Sequence, residues 1–136
     1  MERKTFIKFI GAAVVTGSFM AFLDACKKTN PAPSVPSVDF TLDLTSSSNA
    51  ALVQPGGALV SNQVIIINNN GTYVALSDIC THQGCSVNYD NSIKEIVCPC
   101  HNSFFNLSGV VLSGPAPSSL KQYTVTKNGD ILHIKG

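Results

Sequence analysis

From residue 38 onward, apolar positions either alternate with polar ones or run in short blocks between turn residues. Val38, Phe40, Leu42 and Leu44 alternate with polar neighbours, the period of a half-buried strand. Thr45-Ser46-Ser47-Ser48-Asn49 offers no apolar side chain to bury and is expected to be a loop. Pro55-Gly56-Gly57 signals a turn. Val64-Ile65-Ile66-Ile67 and Thr72-Tyr73-Val74-Ala75-Leu76 flank Asn70-Gly71, a hairpin signal. Residues 93–97 read as a strand leading into Cys98, and residues 123–126 and 131–134 flank Lys127-Asn128-Gly129-Asp130, a second hairpin. No stretch after residue 38 combines a helical period with caps, so the predicted fold class is all-β and antiparallel.

The N-terminal third follows a different pattern. Residues 1–26 read as an export segment: a short basic start, then fifteen uncharged residues, 9–23. That apolar stretch suits a signal helix and is short for a spanning one. Arg3-Lys4-Thr5-Phe6-Ile7-Lys8 resembles a twin-arginine signal with Lys in the second place. Leu23-Asp24-Ala25-Cys26 resembles a lipoprotein cleavage box, with Asp24 departing from the usual small or apolar residue. Cys26 is therefore the candidate lipidation site, and a simple cleaved signal and an uncleaved anchor are the alternatives. Residues 27–37 contain Pro31, Pro33 and Pro36 and read as an extended linker, leaving residues 38–136 as the folded domain.

Composition narrows the function classes. Residues 27–136 carry six Lys against six Asp and Glu. A formally neutral domain lacks the basic surface that nucleic-acid binding needs, so no nucleic-acid partner is expected. Aromatic residues are 7% of the chain and Trp is absent, so the core must be aliphatic.

The candidate chemistry lies within residues 80–103. Cys80-Thr81-His82-Gln83-Gly84-Cys85 is followed, after twelve intervening residues, by Cys98-Pro99-Cys100-His101-Asn102-Ser103. Four of the five cysteines and two of the three histidines fall here. Thiolates and imidazoles at such spacing read as a metal site. His133 lies apart from both motifs and reads as an exposed strand residue; Asp78 and Asp90 read as loop residues.

The doubled motif resembles the Rieske iron–sulfur family, in which two Cys hold one iron of a 2Fe-2S cluster and two His hold the other. The resemblance covers residues 62–136. It implies small antiparallel β-sheets stacked on a cluster-binding subdomain, with Cys80, Cys98, His82 and His101 as metal ligands. Two neutral imidazoles in place of two thiolates make the cluster less negative, and family potentials lie at roughly −150 to +300 mV. Cys85 and Cys100 match the pair that forms a disulfide in the high-potential branch, which suits an oxidising compartment. Ser103 matches a Ser whose hydroxyl donates to a bridging sulfide, and Gly114-Pro115-Ala116-Pro117 resembles the loop that covers the cluster. Phe105 stands where high-potential respiratory members usually have Tyr, and Gln83 where they commonly have Leu.

The resemblance implies one-electron transfer, by a membrane-associated carrier or a small subunit of a respiratory or periplasmic oxidoreductase, rather than a stand-alone enzyme. The expected partner is a cytochrome or an oxidoreductase large subunit, with quinol reached only through it. The expected place is the outer face of a bacterial cytoplasmic membrane. The competing readings are a structural zinc site on the same Cys and His residues and a regulatory cluster module without electron-transfer duty.

Overall fold

The computed structural model describes residues 33–136. Within them, ten strands form two antiparallel sheets. The larger takes β1 (Asp39–Asp43), β10 (Ile131–Lys135), β9 (Gln122–Asn128), β4 (Thr72–Ser77), β3 (Val64–Asn69) and β2 (Ala58–Ser61), in that spatial order. The smaller takes β5 (Asn88–Asp90), β6 (Glu95–Cys98), β7 (Ser103–Phe105) and β8 (Val111–Ser113). The all-β, antiparallel expectation holds. The export segment and Cys26 lie outside the described residues. Among the described residues, no helix is long and apolar enough to cross a membrane.

The block Val64-Ile65-Ile66-Ile67 explains how two cores share one strand. All four side chains are buried. Ile65 and Ile67 face one way and pack with Leu76, Val87, Ile96, Phe105, Cys80 and Cys98. Val64 and Ile66 face the other way and pack with Ala75, Leu42, Leu132, Ile134 and Tyr123. An unbroken apolar run is what a strand covered on both faces requires. Each such side chain contributes about 1.5–3 kcal/mol by leaving water. The large sheet pinches between β4 and β9, where only Ala75↔Tyr123 and Leu76↔Gln122 pair. The pinch lets its two halves close around the second core. The alternation predicted for β1 appears as Phe40 and Leu42 turned into that core, opposite Ile134 and Leu132.

The hairpin at Asn70-Gly71 is present, with both residues at positive φ, 52° and 92°. Asn128 pairs with Ile131 across Gly129 and Asp130, so the second expected hairpin forms too. Elsewhere the pattern misled. Residues 45–49 do not form a plain loop, because Ser47–Val53 is a 3-10 helix. Asn49 Nδ2 donates to the Asp43 carbonyl at 2.9 Å. Leu52 is buried, and its carbonyl accepts from Asn68 Nδ2 at 2.8 Å and Tyr73 OH at 3.1 Å. The strand expected over 93–97 runs Glu95–Cys98 instead, because Lys94 turns at φ 59° and leaves Ile93 exposed.

Residues 33–37 have no regular structure but are tied to the domain. Tyr123 OH donates to the Pro36 carbonyl at 2.9 Å, and Ser37 Oγ to the Gly136 carbonyl at 2.9 Å. Val35 and Val38 pack on the second core. His133 is half-buried on β10 and meets Asp39 of β1 at 2.6 Å, a hydrogen bond that lowers the Asp39 pKa.

Candidate metal centre

Three loops converge beyond the first core. The first leaves β4 at Ser77 and closes through an Ile79↔Ser86 bridge. Inside it, Cys80 N–H donates to the Cys85 carbonyl at 2.8 Å and Gly84 N–H to the Cys80 carbonyl at 2.9 Å. That turn needs φ +76° at Gly84, a value that disfavours any side chain. The second loop is the β6–β7 turn. Cys98 pairs with Ser103, so residues 99–102 project as a short cap carrying Cys100 and His101. The third is the proline-bearing loop after β8. Gly114 turns at φ +93° directly against the second loop, where a Cβ would stand 2.5 Å from the Asn102 carbonyl oxygen and Ser103 Cα. Thr81 Oγ1 donates to the Ser118 carbonyl at 2.7 Å and fastens the first loop to the third.

Cys80 and Cys98 are free and wholly buried. Burial pushes the Cys80 thiol up, and the neighbouring Cys98 adds to that, while the backbone N–H groups of His82 and Gln83 work in the opposite direction. A buried thiol such as that of Cys80 resists ionisation until a cation compensates it. Cys85 and Cys100 are joined as a disulfide between the first two loops, with Cα atoms 6.5 Å apart. The sulfurs of Cys85, Cys98 and Cys100 lie within 4.8 Å of one another. That trio is no ligand set, because two of its members are bonded to each other.

The rings of His82 and His101 meet edge to face with centroids 4.7 Å apart. His101 is exposed and His82 half-buried. His82 Nδ1 is buried and is the one buried side-chain polar atom without a partner among the described residues. An orphaned imidazole nitrogen costs about 1–3 kcal/mol unless something coordinates it. Ser103 is fully buried, and its Oγ accepts from the Ala116 N–H at 3.1 Å. No protein acceptor takes the hydroxyl proton among the described residues, so it remains available to an acceptor in the site. Phe105 is fully buried in the same apolar cluster as Cys80 and Cys98. The residues present thus fit a group that takes two thiolates and two imidazoles and offers an anionic acceptor to a hydroxyl.

Asp78, which reads in the sequence as a plain loop residue, does more. It is buried, and its carboxylate accepts from Ser86 and Val87 at the mouth of the first loop.

Comparison with known proteins agrees with this chemistry. The family model of the Rieske 2Fe-2S domain matches residues 44–124. The iron–sulfur subunit of the cytochrome b6-f complex of Chlorobaculum thiosulfatiphilum is 41% identical over 73 residues, 54% of this chain and 40% of that protein. The corresponding subunit of Chlorobaculum tepidum is 45% identical over 64 residues, 47% of this chain and 35% of that protein. The chain therefore spans less than half the length of these relatives. Among solved structures, the plasma membrane Rieske protein of Synechocystis PCC 6803 superposes with a TM-score of 0.58 at 29% identity, over 71% of this chain and 99% of that one. The ferredoxin of carbazole 1,9a-dioxygenase from Nocardioides aromaticivorans shares the fold, with a TM-score of 0.55 at 18% identity over 70% of this chain and 96% of that one.

Proposed function

The chain belongs to the Rieske 2Fe-2S family, and from that membership we propose a membrane-attached one-electron carrier, or the small subunit of a larger oxidoreductase. A Rieske-type cluster is its cofactor, and it supplies reversible uptake and release of one electron. The observation that carries the proposal is the meeting of Cys80 with Cys98 and of His82 with His101 beside a disulfide. In this reading Cys80 and Cys98 hold one iron through thiolate, and His82 and His101 the other through imidazole. Ser103 Oγ accepts from the Ala116 N–H and keeps its own proton free to donate to the cluster. The exposed edge of His101 faces a redox partner, either a cytochrome or an oxidoreductase large subunit.

Anaerobic titration followed by optical and EPR spectra should show one reversible one-electron step. A centre that cannot be cycled, or one that cycles but exchanges electrons with neither a cytochrome nor an oxidoreductase large subunit, would sink the reading. Phe105→Tyr tunes the same titration. Phe cannot donate to a cluster sulfur, and one added hydrogen bond of about 0.5–1.5 kcal/mol is worth ~20–60 mV at 59 mV per tenfold. The potential should rise by that amount; an unchanged value means the position serves packing alone.

Attachment to the outer face of the membrane rests on the basic start, the apolar residues 9–23 and Cys26. The disulfide supports an oxidising compartment. Cys26→Ser should release the protein from membranes or leave it unprocessed. Intact mass showing residues 1–25 retained in the wild type would assign the anchor to the apolar stretch and not to lipid.

A further inference from the structure

The loop bearing Cys80, His82 and Cys85 is tied at its tip by the Cys85–Cys100 disulfide and Thr81, and at its base by a bridge between Ile79 and Ser86. One side chain spans its mouth. Asp78 is 8% exposed. Ser86 Oγ lies 2.7 Å from each Asp78 carboxylate oxygen and shares its proton between them. Val87 N–H donates to Oδ1 at 3.1 Å and to the Asp78 carbonyl at 3.0 Å. The Asp78 N–H donates in turn to the Gln63 carbonyl at 2.9 Å, in the β2–β3 turn. Asn62 and Gln63 both stand at positive φ there, so that carbonyl has a fixed direction. One residue thereby joins both ends of the ligand loop to the large sheet.

We propose that Asp78 is a positioning residue for the first Cys/His ligand pair: its clasp on Ser86 and Val87 holds the loop that carries Cys80 and His82 in place. The inference rests on the ligand reading above. Loosening the clasp frees the two ends of the ligand loop, whereas the strands on either side keep their own register.

The test uses the cluster-loaded full chain. Asp78→Asn keeps the side chain's outline but leaves one acceptor oxygen where Ser86 Oγ reaches two. Ser86→Ala removes that donor and leaves Val87 N–H on Oδ1. Both variants should lose the cluster to an iron chelator several-fold faster than the wild type, with the circular dichroism of the sheets unchanged. If both variants lose only thermal stability, with wild-type cluster lifetime, Asp78 is a structural residue and the inference fails. Should Asp78→Asn not fold, a wild-type cluster lifetime in Ser86→Ala overturns it alone. Absence of a mixed Cys/His centre in the unsubstituted protein is a separate result: it refutes the ligand reading and takes this inference with it.

Discussion

Replacing Cys80, His82, Cys98 or His101 by Ala abolishes the EPR signal of a reduced, mixed Cys/His 2Fe-2S centre. The expectation follows from how little else these side chains do. Cys80 and Cys98 are buried thiols in the first core without a covalent partner. Their loss removes a small side chain, costing about as much as other modest core truncations, but on the proposed ligand set it also removes a metal bond. His82 separates the two effects most sharply. Its Nδ1 is buried without a partner. Removing an orphaned polar atom relieves a penalty of about 1–3 kcal/mol, so the cluster-free form of His82→Ala should be no less stable than cluster-free wild type. A histidine kept only for the fold would show the reverse. Iron and sulfide content, EPR after dithionite reduction, and thermal melts with and without cluster make the comparison. A Cys80→Ala protein with the wild-type signal would refute the ligand assignment.

The parts of this molecule that were visible in its sequence are those whose meaning is local. Asn70-Gly71 carries its turn in two residues, because both stand where side chains are disfavoured and Asn and Gly tolerate it. The alternation of β1 reports one buried face. The doubled Cys/His spacing reports a metal site because few other uses bring those residue types together. What escaped notice depends on partners distant in sequence. Leu52 is buried in the second core with its carbonyl accepting from Asn68 and Tyr73, and Asn49 is tied to Asp43, so the Ser-rich stretch reads as loop by itself. β5, β7 and β8 have three residues each, too few to display a period of two. Asp78 looks like any acidic residue before a loop, because its role is defined by a serine eight positions later.

Removing the Cys85–Cys100 disulfide should cost stability and cluster lifetime while leaving the sheets intact. The bridge closes fifteen residues of sequence separation and joins the first two ligand loops. In the chain-entropy account such a closure is worth about 3 kcal/mol, which for a domain near this size lowers Tm by roughly 10–20 °C. The sheets should survive, since neither residue lies in a strand and the β6–β7 register is held separately by Ile96↔Phe105, Val97↔Phe104 and Cys98↔Ser103. The loop tips are less secure. Pro99, Cys100, His101 and Asn102 are all exposed, and beyond the Cys98↔Ser103 pair the bridge is the covalent tie that holds His101 near His82. The Cys85→Ser/Cys100→Ser double variant should therefore keep its circular dichroism, melt at lower temperature and surrender its cluster to a chelator sooner than the wild type. Peptide mapping of the wild-type protein under non-reducing conditions should recover Cys85 linked to Cys100. Free thiols at both positions, or a double variant with unchanged Tm and cluster lifetime, would show that the two loops are held together by their packing alone.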